Sequence, residues 1–285
     1  MISHLSGKSK NGSPIPRMVF IVSDSMASDL AFLPFLDKHR EVVETVFVVP
    51  YFWFSSLALF QKSALMVKRA PWFYILYKFV DVYLYRVIRF FAGWDSLRRF
   101  QKRTAIPVKS IPNVNDAAFV DELSSLDPDL VVTMIPQIYG SEIVSRFAGR
   151  LINVHHAILP EYRGAFAGNF WTLVNGDTTS GTTVHLIETG IDSGPILTSA
   201  TVSINDDDSV YSLHARCARL TLRCLDELIG LWSPGKPLPS TPQDAATATT
   251  YSFPTLIAYR TLRSRNRRTL RVRDILVAGV DRPPG

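Results

Sequence analysis

A chain of 285 residues, 47% of them apolar, can bury a good core as one large domain or as one domain with appendages. Its net charge of +6 is smaller than the seven arginines found between Arg260 and Arg273, so the basic excess is local. Cys217 and Cys224 lie seven apart in one predicted helix, which excludes a disulfide between them and suits buried thiols in a reducing compartment.

Residues 1–16 are polar, with no apolar run of the signal-peptide kind, and are expected as a disordered leader. Met18-Val19-Phe20-Ile21-Val22 then reads as a buried strand. Ser23-Asp24-Ser25 starts a helix from about Ala27 to Lys38, and a strand follows from about Val42 to Val49. A strand-helix-strand opening fits a doubly wound α/β sheet. Residues 51–100 interrupt it with aromatic runs, among which stand Lys68, Arg69, Lys78, Arg86 and Arg89. A helical insert is expected, leaving an exposed aromatic surface rimmed by Lys68, Arg69, Arg86 and Arg89 and covered by a second subunit (a homodimer), by a membrane surface or by the substrate. The longest uncharged run, Thr45 to Gln61, is broken by Pro50 and does not read as a membrane span.

A short strand and loop over Ile106–Asn115, a helix over Asp116–Leu126, a strand over Asp129–Met134 and a helix over Ser141–Phe147 come next. The strand Arg150 to Val154 then delivers Asn153 and His155 at its carboxyl end, on one face. After an irregular loop through Pro160 and Gly164, the strand Thr182 to Glu188 ends in the turn Thr189-Gly190-Ile191-Asp192-Ser193-Gly194-Pro195, which carries one carboxylate. Asn, His and Asp from two strand ends suit acyl transfer to an amine: a donor for the oxygen that becomes negative, a group near neutral pKa, and a partner that sets the imidazole's charge. No Ser or Cys stands beside the histidine as a nucleophile. Loop capping is the alternative role for a strand-end Asn or His. His156 is expected to point away from the site, and His214, within a helix, to be structural.

Four ordered motifs, Asn-Val-His (153–155), Ile-Leu-Pro-Glu-Tyr-Arg-Gly (158–164), Gly-Thr-Thr-Val-His (181–185) and Gly-Ile-Asp-Ser-Gly-Pro (190–195), resemble the catalytic domain of the folate-dependent formyltransferases. That family acts on glycinamide ribonucleotide, methionyl-tRNA and amino-sugar nucleotides. The resemblance covers about Asp127 to Trp232. It implies a Rossmann-like, mostly parallel sheet, Asn153, His155 and Asp192 as catalytic residues, and 10-formyltetrahydrofolate as co-substrate. It implies further that Ile135, Pro136, Gln137, Ile138 and Tyr139, with Glu188, Thr189, Gly190 and Ile191, hold the pterin, that Thr183 and His185 support the catalytic residues, and that no metal is needed. Arg163 and Gly164 are expected in a loop facing the acceptor.

The catalytic domain is thus expected over 17–232, closed by a strand over Ile196–Ile204 and a long helix to about Trp232. Residues 233–285 are expected as a proline-rich linker and a basic extension dispensable for chemistry. The phosphate-cradling glycine turn of the purine enzymes is replaced here by Ser23-Asp24-Ser25-Met26, and fewer residues than an ordinary domain follow the long helix. A small-molecule amine acceptor, an amino sugar or a peptide or siderophore-type precursor, is therefore expected ahead of methionyl-tRNA, and nucleic acid ranks low as a partner. A formyltetrahydrofolate deformylase and a non-catalytic folate- or lipid-binding protein are the rival classes. The expected location is cytoplasmic, with membrane-surface contact as an option.

Overall fold

The computed structural model describes residues 7–8, 14–50, 71–164 and 168–277. Its frame is a seven-stranded sheet: β1 (Met18–Ser23), β2 (Val43–Val49), β3 (Val108–Ser110), β4 (Leu130–Met134), β5 (Leu151–His155), β6 (Thr179–Leu186) and β7 (Ile196–Ser203). The spatial order is β3-β2-β1-β4-β5-β6-β7. The first five strands are parallel; β6 and β7 return antiparallel. The expected mostly parallel α/β sheet is present. Leaving β1, the chain moves to β2 and β3 on one side and then resumes at β4 on the other. A crevice opens at such a reversal, outside the carboxyl ends of the strands.

Every residue of β1 is buried, as a strand covered on both faces requires. Met18, Phe20 and Val22 pack among Phe32, Phe35 and Leu36 of α1 (Met26–Lys38) and Leu225 and Leu228 of a long helix near the carboxyl end. Val19 and Ile21 face the other way, onto Phe119 and Leu123 of α5 (Ala117–Leu126) and Ile143 beside Phe147. Alternate residues of one strand thus serve two cores, and each large side chain so buried contributes about 1.5–3 kcal/mol.

Part of the aromatic stretch, 51–70, lies outside the described residues. The rest is helical: α2 (Trp72–Phe79), a π-helical turn (Val80–Leu84), α3 (Tyr85–Phe91) and α4 (Leu97–Arg103). Phe73, Tyr74, Tyr77, Val80 and Tyr85 point into a second core that includes Met26, Phe170 and Tyr211. Trp72, Leu76, Phe79, Val87, Phe90 and Phe91 are exposed. The basic rim is not as expected, for Arg86 and Arg89 turn inward. Each holds Asp24 at 3.1 Å, and Arg89 also bonds buried Asp29. The cause is a buried carboxylate in the first turn of α1: Asp29 is 4% exposed, and without a cation it would be costly to ionise. Its pKa is pushed up to about 6 by burial, against the opposing pull of Arg89. Among the described residues no helix is long and apolar enough to cross a membrane.

After α6 (Ser141–Arg146) and β5, a helix that the sequence reading left unassigned, α7 (Gly168–Asn175), packs below the site. α8 (Val210–Leu231) begins at Ser209 in a reciprocal capping box with Ser212 and carries both cysteines, free and buried. The expected linker and solvated extension is corrected as far as Val277. α9 (Leu256–Ser264) buries Ala258 and Leu262 in the second core, and α10 (Val272–Val277) follows. The arginines are spent on the fold: Arg267 donates to Asn205 O, Arg271 to Asp207 O, and Arg273 pairs with Asp207 at 2.6 Å. The acidic run that starts α8 is the partner of the basic run.

Candidate active site

Strand pairing places Asn153 opposite His185 and His155 opposite Thr183. Asn153 Nδ2 lies 3.2 Å from His185 Nε2 and 3.3 Å from Asp192 Oδ1. His185 Nδ1 lies 2.8 Å from Leu186 O, an acceptor only, so Nδ1 carries a hydrogen, and Asn153 Nδ2 donates to Asp192 Oδ1. That fixes the Asn153 amide with its nitrogen toward the carboxylate. His155 Nδ1 stands 3.5 Å from Asp192 Oδ2, and its Nε2 2.7 Å from Tyr162 O. Asp192 thus sits between two imidazoles and an amide. Thr183 lies behind, where its hydroxyl donates to Ala157 O and accepts from Leu159 N, holding the loop after β5.

The turn that presents Asp192 is bent to reach this point. Asp192 has φ +47°, a left-handed conformation that aspartate tolerates better than most residues. A Cβ on Gly194 would meet Leu186 O at 1.9 Å, so only glycine lets the turn lie this close to β6. Gly164 N donates to Asp192 Oδ2 at 2.9 Å. Burial would raise the Asp192 carboxyl, but the charges of His155 and His185 and the Gly164 N–H outweigh it and hold the pKa below the usual carboxylate range. Asp192 is therefore an anion throughout the neutral range.

These groups line a cleft of about 740 Å³. Its lining includes Ile135, Pro136, Gln137, Ile138 and Tyr139 with Glu188, Thr189, Gly190 and Ile191, all nine residues expected at the pterin. Gln137 accepts from Val114 N and donates to Pro112 O, and Asn115 secures Ile138 O and Gly140 N. Side chains of the preceding loop thus set the shape of the 135–139 segment. Ile138 and Ile191, both in the lining, stay exposed. Ser23, Ser25, Tyr77, Lys78, Asp81 and His214 also line it.

Arg163 is no free loop residue: its Nε donates to Gln243 Oε1 at 2.9 Å, and its backbone pairs with Thr249 and Tyr251. Gln243 in turn donates to Asp192 O and Gly194 O at 2.8 and 2.7 Å. Tyr251 stacks between Tyr162 and Trp171, and its carbonyl oxygen lies where a Cβ on Gly164 would meet it at 2.1 Å. Gln243 and Tyr251 are site-building residues that the sequence reading missed. Neither belongs to a motif, and the two flank the low-complexity run Ala245–Thr250.

His156 does turn from the site. Its Nδ1 meets His214 Nε2 at 3.2 Å, its Nε2 meets Thr221 at 3.2 Å, and His214 Nδ1 meets Tyr77 OH at 2.9 Å. Burial pushes His214 down to about 3, with help from Lys78, and burial and His214 push His156 well below its usual value. Two neutral imidazoles, each with one N–H, make a one-way chain of hydrogen bonds from Tyr77 to Thr221. Unfolded histidines take up protons below about 6.5, and these two do not, so the unfolded state gains as the pH falls from about 6.5 toward 3. Asp29 opposes this between about 4 and 6, because its folded pKa is raised and protonation there favours the fold. Two groups outweigh one: urea unfolding at pH 7 and pH 5 is expected to show lower stability at pH 5. The double variant His156→Asn/His214→Asn is expected to lose less over the same interval. An equal loss in both proteins would contradict the assignment.

Fold and site together define a Rossmann-like α/β domain whose cleft gathers an Asn–His–Asp cluster. Residues 100–229 match the sequence profile of the formyl transferase family. It is 34% identical over 144 residues to a methionyl-tRNA formyltransferase of Trichlorobacter lovleyi, covering 50% of this chain and 45% of that one. It is 36% identical over 132 residues to the methionyl-tRNA formyltransferase of Geobacter sulfurreducens, covering 46% and 41%. The chain therefore spans about half the length of the curated relatives it matches. Among solved structures, it resembles glycinamide ribonucleotide transformylase 1 from Symbiobacterium toebii (TM-score 0.53, 19% identity, covering 81% of this chain and 95% of that one). It also resembles the N-formyltransferase from Helicobacter canadensis, solved with folinic acid and dTDP-3-aminofucose (TM-score 0.51, 17% identity, covering 82% and 70%). These likenesses show the shared fold.

Proposed function

We propose that the protein transfers a formyl group from 10-formyltetrahydrofolate to a primary amine of a small acceptor. The observation that carries this reading is the meeting of Asn153, His155 and Asp192 in one cleft, inside the segment that matches the family. The donor supplies an electrophilic formyl carbon, held with its pterin between the 135–139 and 188–191 segments. Asn153 Nδ2, whose two contacts of 3.2 and 3.3 Å are long, is free to exchange one of them for the formyl oxygen as that oxygen gains charge. His155 in its protonated form adds a second donor there. Asp192 stabilises that imidazolium and, directly or through water, takes the proton leaving the amine.

A second reading, transfer to an aminoacyl-tRNA, is favoured by the two curated relatives. One experiment addresses both readings and the hydrolase: 10-formyltetrahydrofolate is incubated with the protein and amino sugar, with methionyl-tRNA, or with buffer alone. The proposal expects tetrahydrofolate release that depends on the small amine. Release only with the tRNA favours the second reading. Release at the same rate in buffer means hydrolysis, and no release anywhere removes the catalytic reading.

A further inference from the structure

The cleft lining contains an acceptor atom that the described residues do not satisfy. Asp81 sits in the π-helical turn between α2 and α3, and such a turn inside an α-helix frequently marks a functional position. The residue is 1% exposed. Its Oδ2 holds Lys78 Nζ at 3.0 Å, while its Oδ1 is buried with no hydrogen-bond partner among the described residues. A buried carboxylate oxygen without a donor is costly, and native folds rarely keep one without a use for it. Asp81 and Lys78 line the same cleft as Asn153, His155 and Asp192.

The chemistry of the neighbours narrows what this atom takes. Lys78 already neutralises the carboxylate, which favours an uncharged donor over a second ammonium. An anionic group is disfavoured, because Arg86 and Arg89 are committed to Asp24 and Asp29, and Oδ1 itself would repel it. The hydroxyls of Ser23, Ser25 and Ser28 are occupied with one another. A hydroxyl group, a neutral donor, fits the vacancy.

We propose that Asp81 is the recognition carboxylate for a hydroxyl group on the acceptor, so that the amine formylated here is a hydroxylated one of the amino-sugar class. The proposal rests on the formyl-transfer reading for the reaction, but not for the binding. In that binding Asp81 Oδ1 accepts the hydroxyl hydrogen, Lys78 holds Oδ2, and the substrate's amine is left to reach toward Asn153, His155 and Asp192.

The test uses the whole chain and two probes of similar ring size, D-glucosamine and cyclohexylamine. Each is titrated calorimetrically, then incubated with 10-formyltetrahydrofolate and searched for the formamide by mass spectrometry. The wild type is expected to prefer glucosamine. Asp81→Asn puts an NH₂ where Oδ1 was, since Lys78 keeps the amide oxygen, and is expected to cut the glucosamine-to-cyclohexylamine affinity ratio ~10-fold or more. The change in ratio is the readout because it cancels the different basicity of the probes and any general weakening of the fold. Asp81→Ala serves as a second variant, expected to change the ratio in the same direction. A ratio unchanged in a variant that melts like the wild type means that Asp81 serves the fold or a resident water, and overturns the proposal. A wild type without preference overturns it with no variant at all. If glucosamine binds through Asp81 but neither probe is formylated, the subsite stands and the formyl-transfer reading fails.

Discussion

Asn153→Ala, His155→Ala and Asp192→Asn are each expected to lower the proposed formyl transfer ~10²-fold or more, the size associated with losing an oxyanion donor or a proton-transfer group. The three act as a cluster, so their combined loss is expected to fall well short of the product of the single losses. Asp192→Asn is the most informative. It keeps the shape of the side chain and its bond from Gly164 N, yet removes the charge that both imidazoles face. Affinity for folinic acid is expected to change little in all three variants, because the pterin segments are shaped by Gln137, Asn115 and backbone. Steady-state rates beside folinic acid titrations check both halves. A variant near the wild-type rate leaves the mechanism.

A chain ending at Pro239 is expected to lose activity by at least as much, although it retains every residue of the catalytic cluster. The cut removes Gln243, which ties the Asp192 turn to Arg163, and Tyr251, which closes over Gly164. It also strips Ala258 and Leu262 from the second core and leaves Asp207 without Arg273. Gln243→Ala separates the two effects, since it loosens the turn and leaves both helices. It is expected to reduce the rate with little change in melting temperature. Full activity in the shortened chain would mean that the carboxyl-terminal residues only decorate the domain. Their expected dispensability came from treating a basic run as a solvated tail, whereas the residues that pair with it stand about 60 positions earlier.

Local chemistry made much of this protein legible in its sequence. β1 and α1 could be placed because an apolar run ends in Ser-Asp-Ser, and α8 because Asp206-Asp207-Asp208-Ser209 caps a long amphipathic stretch. Asn153, His155 and Asp192 stood out because each lies at the end of a strand or in a glycine-bounded turn. The features that escaped depend on distant partners. Arg86 and Arg89 looked like a basic rim until Asp24 and Asp29, more than 55 residues away in sequence, drew them inward. α7 lacks a recognisable cap, and its buried face, Phe170, Leu173 and Val174, finds its core only in the folded chain. Asp81 carried no signal beyond an acid in an apolar helix. Its meaning comes from the cleft it lines and from an oxygen left without a donor.

The measurement closest to the central claim follows the formyl carbon itself. 10-Formyltetrahydrofolate labelled with ¹³C in the formyl group is mixed with D-glucosamine and the protein, and the label is tracked by NMR. Appearance of the label in an amide of the sugar with wild type, and its ~10²-fold slower appearance with Asp192→Asn, is the predicted result. Label that emerges as free formate at a rate indifferent to the amine, or that stays on the folate, would contradict it.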